Sequence, residues 1–413
     1  MLWLRLGWRN LWRNRTRTVL QSLAIAGGLF LAIFFKNLAT GSYEKVIDDG
    51  VRTGSGHVGL YRDGYLADRK TEQSFALGHL ATEVARLPGV RSVFSRIYIP
   101  GLVQSGHDSR GVLVLGIDAQ LEKGINPILH DRHLRAGTLP VAGNVERAVI
   151  GEGLAARLQV KLGNKIVISF QDARGKIANV LYRICGLMHT GMAQFDNESV
   201  LVDRRRLADE FGAPDHVHEV AVMLADRHRA DAFVTALPGV ASLPSQVHAC
   251  TWERAMPQMF QMIELDRVGY LIFVGFLYLL IAIGTVNTLL MNVTERTREF
   301  GLLRAMGCNS ANLRRMIVAE ALVLGLLGAG VGTAAGSVLT WYYSLSGLDL
   351  RPLMGNKDLE VAGIVFDPVV FTMWNVPAMV GAVAAMVILV LIASLYPARK
   401  ALKIRPAEAM RRY

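Results

Sequence analysis

Cysteine is scarce in this 413-residue chain, with Cys185, Cys250 and Cys308 the whole complement. Three thiols do not make a disulfide framework, and none stands in the CxxC spacing that holds zinc. Cys185 and Cys250 both fall in a region read below as extracytoplasmic, where they are able to pair. Catalytic motifs are missing as well: there is no GxxxxGK[ST] loop to cradle nucleotide phosphates, no GxSxG turn and no HExxH helix. No catalytic residue and no cofactor is therefore assigned to this chain. His130 with His133, and His216 with His218, lack a matching cysteine or carboxylate set, so no metal site is expected. Acid is also short, 34 Asp and Glu against 45 Lys and Arg, for a net charge of +11. Nucleic-acid-binding proteins share such a balance, but here the positive residues bunch at the ends of apolar runs instead of covering a soluble face. The excess reads as membrane topology, with membrane lipid and not nucleic acid as its partner.

What is abundant is apolar sequence, 52% of residues. The run 268–293 is about 26 residues and would reach ~39 Å as a helix, enough for a hydrocarbon core of ~30 Å. Three further spans are read at 18–39, 316–343 and 376–397. Ahead of the first, residues 1–17 place Arg5, Arg9 and Arg13 on one helical stripe and Leu4, Trp8, Leu11 and Trp12 on another, as in an interfacial helix. The basic stretches 1–17, 294–315 and 398–413 then share the cytoplasmic side, and 41–266 and 344–375 lie outside. A cleaved signal peptide is disfavoured because the apolar run is about 20 residues long and no A-x-A site stands at its end, immediately before Gly41.

Between spans two and three, residues 294–315 form a short, Arg-rich segment with more pattern than a tether needs. Phe300, Leu302, Leu303 and Met306 recur at helical spacing, with Arg296, Arg298, Glu299 and Arg304 on other faces. An amphipathic helix there offers a surface to a cytoplasmic partner. The third span spaces Gly328, Gly332 and Gly336 four apart, a stripe that lets helices approach closely and that suits either a second subunit or another span of the same chain. Glu320, near the cytoplasmic end of that span, suits either a functional role or a pair with a local arginine such as Arg315.

The region 41–266 has no run long enough to cross a membrane. Residues 81–93 and 230–243 share an amphipathic helix, an LPGV turn and a β-prone segment, which suggests two related β/α units around an insert at about 132–225. Within the insert, strands are predicted at 165–170, 177–185 and 199–202, and a short helix at 151–158. Residues 251–265 read as a helix leading into the second span without a flexible linker.

Three stretches carry a family resemblance. ERTREFGLLRAMGCNSANLRRMIVAEALVLGLLGAGVG at 295–332 follows an E-R-x-R-E-x-G-x-x-R-A-x-G pattern, YPARKALKIRPAEAMR at 396–411 has a Pro-Ala-Arg and Pro-x-Glu-Ala ending, and WRNLWRNRTRT at 8–18 is a basic opening. With one span, a large outer domain and three more spans, the chain resembles the FtsX-like permease superfamily of ABC transporters, which includes MacB-type and lipoprotein-releasing permeases. The resemblance implies an α+β membrane protein whose four transmembrane helices carry an extracytoplasmic α/β domain, MacB-like, between helices 1 and 2. It implies a bacterial inner-membrane protein, not itself an enzyme, that pairs with a second permease subunit in a homo- or heterodimer. A separate cytoplasmic ABC ATPase would hold ATP and Mg, with a periplasmic adaptor or lipoprotein carrier as a further partner. Glu295 to Gly307, including Gly301, would be the coupling element, and the mode of action mechanotransmission. SGHVGLYRDGYL at 55–66 is similar to the start of the outer domain in lipoprotein-releasing permeases, which implies a lipid-linked or hydrophobic cargo. Peptide or antibiotic efflux and control of a cell-wall hydrolase are the alternatives.

Overall fold

The computed structural model describes residues 15–140, 146–349, 352, 359–361, 364–366 and 369–402. Most of the interfacial helix read at 1–17, and the tail beyond 402, lie outside the described residues. The chain divides into a helical unit (1–44, 264–350 and 369–413) and an α/β unit (45–263 and 351–368).

Among the described residues four helices are long and apolar enough to cross a membrane: Arg15–Thr53, Pro257–Glu295, Ser310–Ser346 and Val376–Leu402. Each overruns the span read from its hydrophobic run, because a helix ends where its backbone is broken or capped and not where its apolarity ends. The first runs to Thr53, 39 residues in all. Nothing before Gly54 breaks it, and its final carbonyls find an unusual partner. The guanidinium of Arg96 donates to the carbonyl oxygens of Thr53 and Gly54 at 2.6 and 2.7 Å, and to both carboxylate oxygens of Glu122. Both side chains are fully buried, so the charges neutralise each other while the leftover donors cap the helix.

Inside the helical unit the third helix is central, with 56% of its apolar window buried against 11% for the second. All four helices contribute to one core, among them Ile25, Leu29, Ile281, Leu324 and Val390. Polar side chains of the first helix clamp it to its neighbours. Gln21 donates to Thr285 and accepts from Thr288, joining the first helix to the second. Asn37 donates to Thr340 and accepts from the backbone N–H of Asn375. Lys36 lies with its ammonium over the Tyr270 ring, 5.2 Å from the centroid.

The α/β unit contains two parts built on one long strand. In chain order the strands of its segment 45–263 are β1 Val58–Arg62, β2 Phe75–Ala76, β3 Val90–Gln104, β4 Ser109–Ile117, β5 Leu134–Gly137, β6 Arg147–Gly151, β7 Lys165–Gln171, β8 Ile177–Met188, β9 Ser199–Asp203, β10 His216–Val217, β11 Glu219–Leu224 and β12 Val247–Thr251. The order β12-β1-β11-β3 makes an antiparallel sheet. Its crossovers are the helices Leu80–Ala85, between β1 and β3, and Ala230–Ala236, between β11 and β12. This is the split βαβ arrangement, a βαβ unit used twice. Both helices bury their apolar faces in one core with Val58, Val220 and Val222.

The second part is a closed ring: β3 pairs β4, β4 pairs β9, β9 pairs β6, β6 pairs β8, β8 pairs β7, and β7 returns to β3. Alternate residues of all six strands point inward and fill it, for example Ile99, Val114, Ile150, Ile168, Tyr182 and Val200. The insert read at about 132–225 is corrected here. The barrel core starts at Ile97 and ends at Phe211, and β11 belongs to the other sheet. A strand of 15 residues can pair with β11 along its first half and with β4 and β7 along its second, so the boundary falls inside β3, where no turn residues mark it.

The cysteines are unpaired. Cys185 on β8 packs with the cluster around Leu134 and Val149, and Cys250 on β12 with Tyr61 and Tyr65. The pairing left open from sequence is therefore not made: the two strands serve different cores. His216, His218 and His133 are each engaged in a hydrogen bond to the fold.

Candidate functional site

Residues 294–315 are not one helix. The second span helix continues to Glu295, the backbone breaks at Arg296 (φ −101°, ψ 16°), a nine-residue helix runs Thr297–Ala305, and the third span helix starts at Ser310. The far break is a glycine C-cap. Gly307 takes φ +89°, and Cys308 N–H donates to the Leu303 carbonyl. A side chain at 307 would be strained in that left-handed conformation. Asn309 then caps the next helix by accepting from Ala311 N–H.

The short helix is fastened by one face. Phe300 is 1% exposed and packs among Val293, Leu313, Met316, Ile317, Ala398 and Ala401, with Leu303 half-buried beside it. Gly301 is buried too. Phe300, expected from spacing as a docking contact, is thus an anchor: helical periodicity finds an apolar stripe but not what covers it.

The charges are also engaged. Arg296 donates to Glu299 at 2.9 Å and to Glu320 at 3.2 Å, and its guanidinium lies 5.1 Å from the Phe300 ring centroid. Glu320 therefore pairs with Arg296, not Arg315, across the break between helices. Glu295 receives two hydrogen bonds from Arg17, both at 2.9 Å, a fork that fixes the end of the second helix against the start of the first. Arg304 donates to the carbonyl of Leu402 at 2.9 Å. What remains outward is a compact patch, with Leu302 52% and Met306 68% exposed and Arg298 beside them. Of the expected coupling residues, then, Leu302, Met306, Arg298 and the exposed Gly307 form a surface, while Glu295, Arg296, Glu299, Phe300, Gly301, Leu303 and Arg304 hold it in place. Sequence reading missed Arg17, Ala398 and Ala401; only Arg17 carried a signal, as one of several basic residues before a span.

The glycine stripe settles between its two readings. A Cβ on Gly332 would stand 2.5 Å from the Ala26 carbonyl oxygen, one on Gly328 2.7 Å from Ile25, and one on Gly336 3.1 Å from Ile33. All three face the first helix of the same chain, and a second subunit is not what they pack against.

Four apolar helices, a split βαβ sheet with a barrel between the first two of them, and a braced helix between the second and third define a membrane permease with an outer domain. Residues 18–240 match the MacB-like periplasmic core domain and residues 271–406 the FtsX-like permease C-terminal domain, and the chain belongs to this family of ABC-transporter permeases. It is 25% identical over 303 residues to the lipoprotein-releasing system transmembrane protein LolC of Neisseria meningitidis, covering 70% of this chain and 72% of that one. It is 24% identical over 423 residues to the pyoverdine export ATP-binding/permease protein PvdT of Pseudomonas fluorescens, covering 98% of this chain and 58% of that one. The chain thus spans less than two thirds of the exporter's length. Among solved structures it is similar to the periplasmic region of MacB from Actinobacillus actinomycetemcomitans, at 14% identity and TM-score 0.35 over 53% of this chain and 98% of that one. The extracellular domain of YknZ from Gram-positive bacteria matches at 12% identity and TM-score 0.35, over 47% and 99%.

Proposed function

We propose that this chain is the transmembrane subunit through which a separate cytoplasmic ATPase, carrying its own ATP and Mg, drives movement of the periplasmic domain. The observation behind this reading is the exposed patch Leu302, Met306 and Arg298 on a short helix whose other residues are locked to three of the four long helices. A push on the patch is then passed into the bundle instead of bending a loop. The first helix continues without a break to Thr53, and the second begins at Pro257, so both reach beyond the apolar windows that a bilayer requires. In this reading the termini lie in the cytoplasm, the protein sits in the bacterial inner membrane, and a second permease subunit completes the complex.

The cargo we favour is a lipoprotein or another hydrophobic molecule taken from the outer leaflet, supported by the similarity to LolC. A second reading, export of a small peptide-like molecule with a periplasmic adaptor, is favoured by the match to PvdT along 98% of this chain. Depletion in cells followed by membrane fractionation separates the two. Lipoproteins retained in the inner membrane support release, and normal sorting with altered export or drug susceptibility overturns it. Coupling is tested by co-purification. Leu302→Asp with Met306→Asp should lose the ATPase while the permease keeps its melting temperature, and an ATPase retained by the double variant would refute the docking surface. Leu303 is left intact because it packs inward.

A further inference from the structure

The periplasmic domain contains a cavity of about 420 Å³ that the transport reading does not use, within the size range of small-molecule sites. Its floor is Glu219, 3% exposed on β11. Tyr61 Oη donates to one carboxylate oxygen at 2.6 Å and Tyr98 Oη to the other at 2.5 Å. Burial, and then the Glu219 charge, push both phenols well above their ordinary range, so both protons stay in place. With those protons committed to Glu219, the two phenol oxygens face the cavity as acceptors only. Among the described residues Glu219 has no ion-pair partner: Arg96, a buried cation of this domain, is tied to Glu122 and the end of the first helix. The wall beside the carboxylate is aromatic. Tyr61 and Tyr65 stack at 5.9 Å, and Arg69 lies over the Tyr65 ring, 5.3 Å from its centroid. Leu113 and Met256 supply apolar lining.

A buried carboxylate without an ion pair among the described residues, acceptor oxygens and ring faces together select a cation, and the apolar lining selects one on a hydrocarbon stem. We propose that this cavity binds an alkylammonium group. Anionic groups are disfavoured because Glu219 repels them and the Tyr61 and Tyr98 protons are already given to it. Arg69 is the resident competitor: it already sits on the Tyr65 face, it is exposed, and it is held in the left-handed conformation at φ +52°. A ligand ammonium entering beside Tyr65 displaces it toward solvent. The cavity is walled by Gly54, just after the first span helix, and by Met256, just before the second, so its occupancy bears on the segments that join the helices to the sheet.

The probe is n-butylammonium, titrated by calorimetry into the full-length protein in dodecyl maltoside, with 1-butanol as its neutral counterpart. Saturable butylammonium binding is expected, with at least tenfold weaker binding of the alcohol. Glu219→Gln should weaken the amine at least tenfold, and Arg69→Gly, which removes the competing guanidinium and relieves the φ, should tighten it severalfold. Should Glu219→Gln fail to fold, the Arg69→Gly variant and the alcohol comparison still decide. Added phosphatidylethanolamine distinguishes the source: competition with butylammonium identifies a lipid headgroup, and its absence a soluble amine. No saturable binding by the wild type, equal binding of 1-butanol, or unchanged affinity in Glu219→Gln overturns the proposal.

Discussion

His218 shows how much a single buried side chain can constrain. Its Nδ1 accepts from the Tyr98 N–H at 3.1 Å and its Nε2 faces the Thr71 carbonyl at 2.9 Å, so the ring is neutral with its proton on Nε2. A second proton would have to enter at Nδ1, against a backbone N–H. Burial, opposed by the bond to Thr71, takes its pKa down to about 4. Because the unfolded chain takes up this proton near its ordinary value and the folded chain does not, the contribution of His218 is complete above about pH 6.5. It declines as pH falls toward 4, by about 3 kcal/mol at that end. His57 acts in the same direction, accepting from Leu224 N–H with its pKa lowered by burial. Urea unfolding of the full-length protein between pH 8 and pH 4.5 should show this acid loss, and His218→Gln should flatten it; an equal slope in the variant would contradict the assignment. No sequence rule distinguishes His218 from His216, two residues away and hydrogen-bonded to Ser74.

At the scale of elements, periodicity located helices and strands better than it assigned their faces. The strands expected at 165–170, 177–185 and 199–202 are found at Lys165–Gln171, Ile177–Met188 and Ser199–Asp203, because alternation of apolar residues is a local property. The orientation of the glycine stripe is not local. Gly332 lies against the Ala26 backbone, and a backbone cannot rotate away as a side chain can. Gly332→Leu should therefore lower the stability of the single chain by about 1–3 kcal/mol or more, read as a reduced melting temperature of the monomeric fraction. A variant with unchanged melting and weakened subunit crosslinking would return the stripe to an intermolecular role. The same distinction applies to Phe300 and Leu302, two residues apart on one helix: the first is an anchor and the second is exposed, since only one of them meets the core around Leu313 and Ala398.

For the whole molecule, the proposed topology places the short helix and the barrel on opposite sides of the membrane. In a cysteine-free background, Arg298→Cys should react with an impermeant maleimide only after spheroplasts are opened. Ile177→Cys, at an exposed position on β8, should react in intact spheroplasts. Labelling of both positions from one side would end the coupling model. Composition and spacing alone determined that the chain crosses a membrane, that a large α/β region lies between the first two apolar runs, and that the Arg-rich segment is more than a tether, because hydrophobic length and charge placement are read residue by residue. Only the tertiary structure decided that the glycines pack on the chain's own first helix and that Arg296 bridges Glu299 and Glu320. It alone divided the outer domain inside β3 and buried Glu219 beside three tyrosines, two of which donate to it. Those outcomes depend on which distant segments meet, and no single stretch of sequence contains that information.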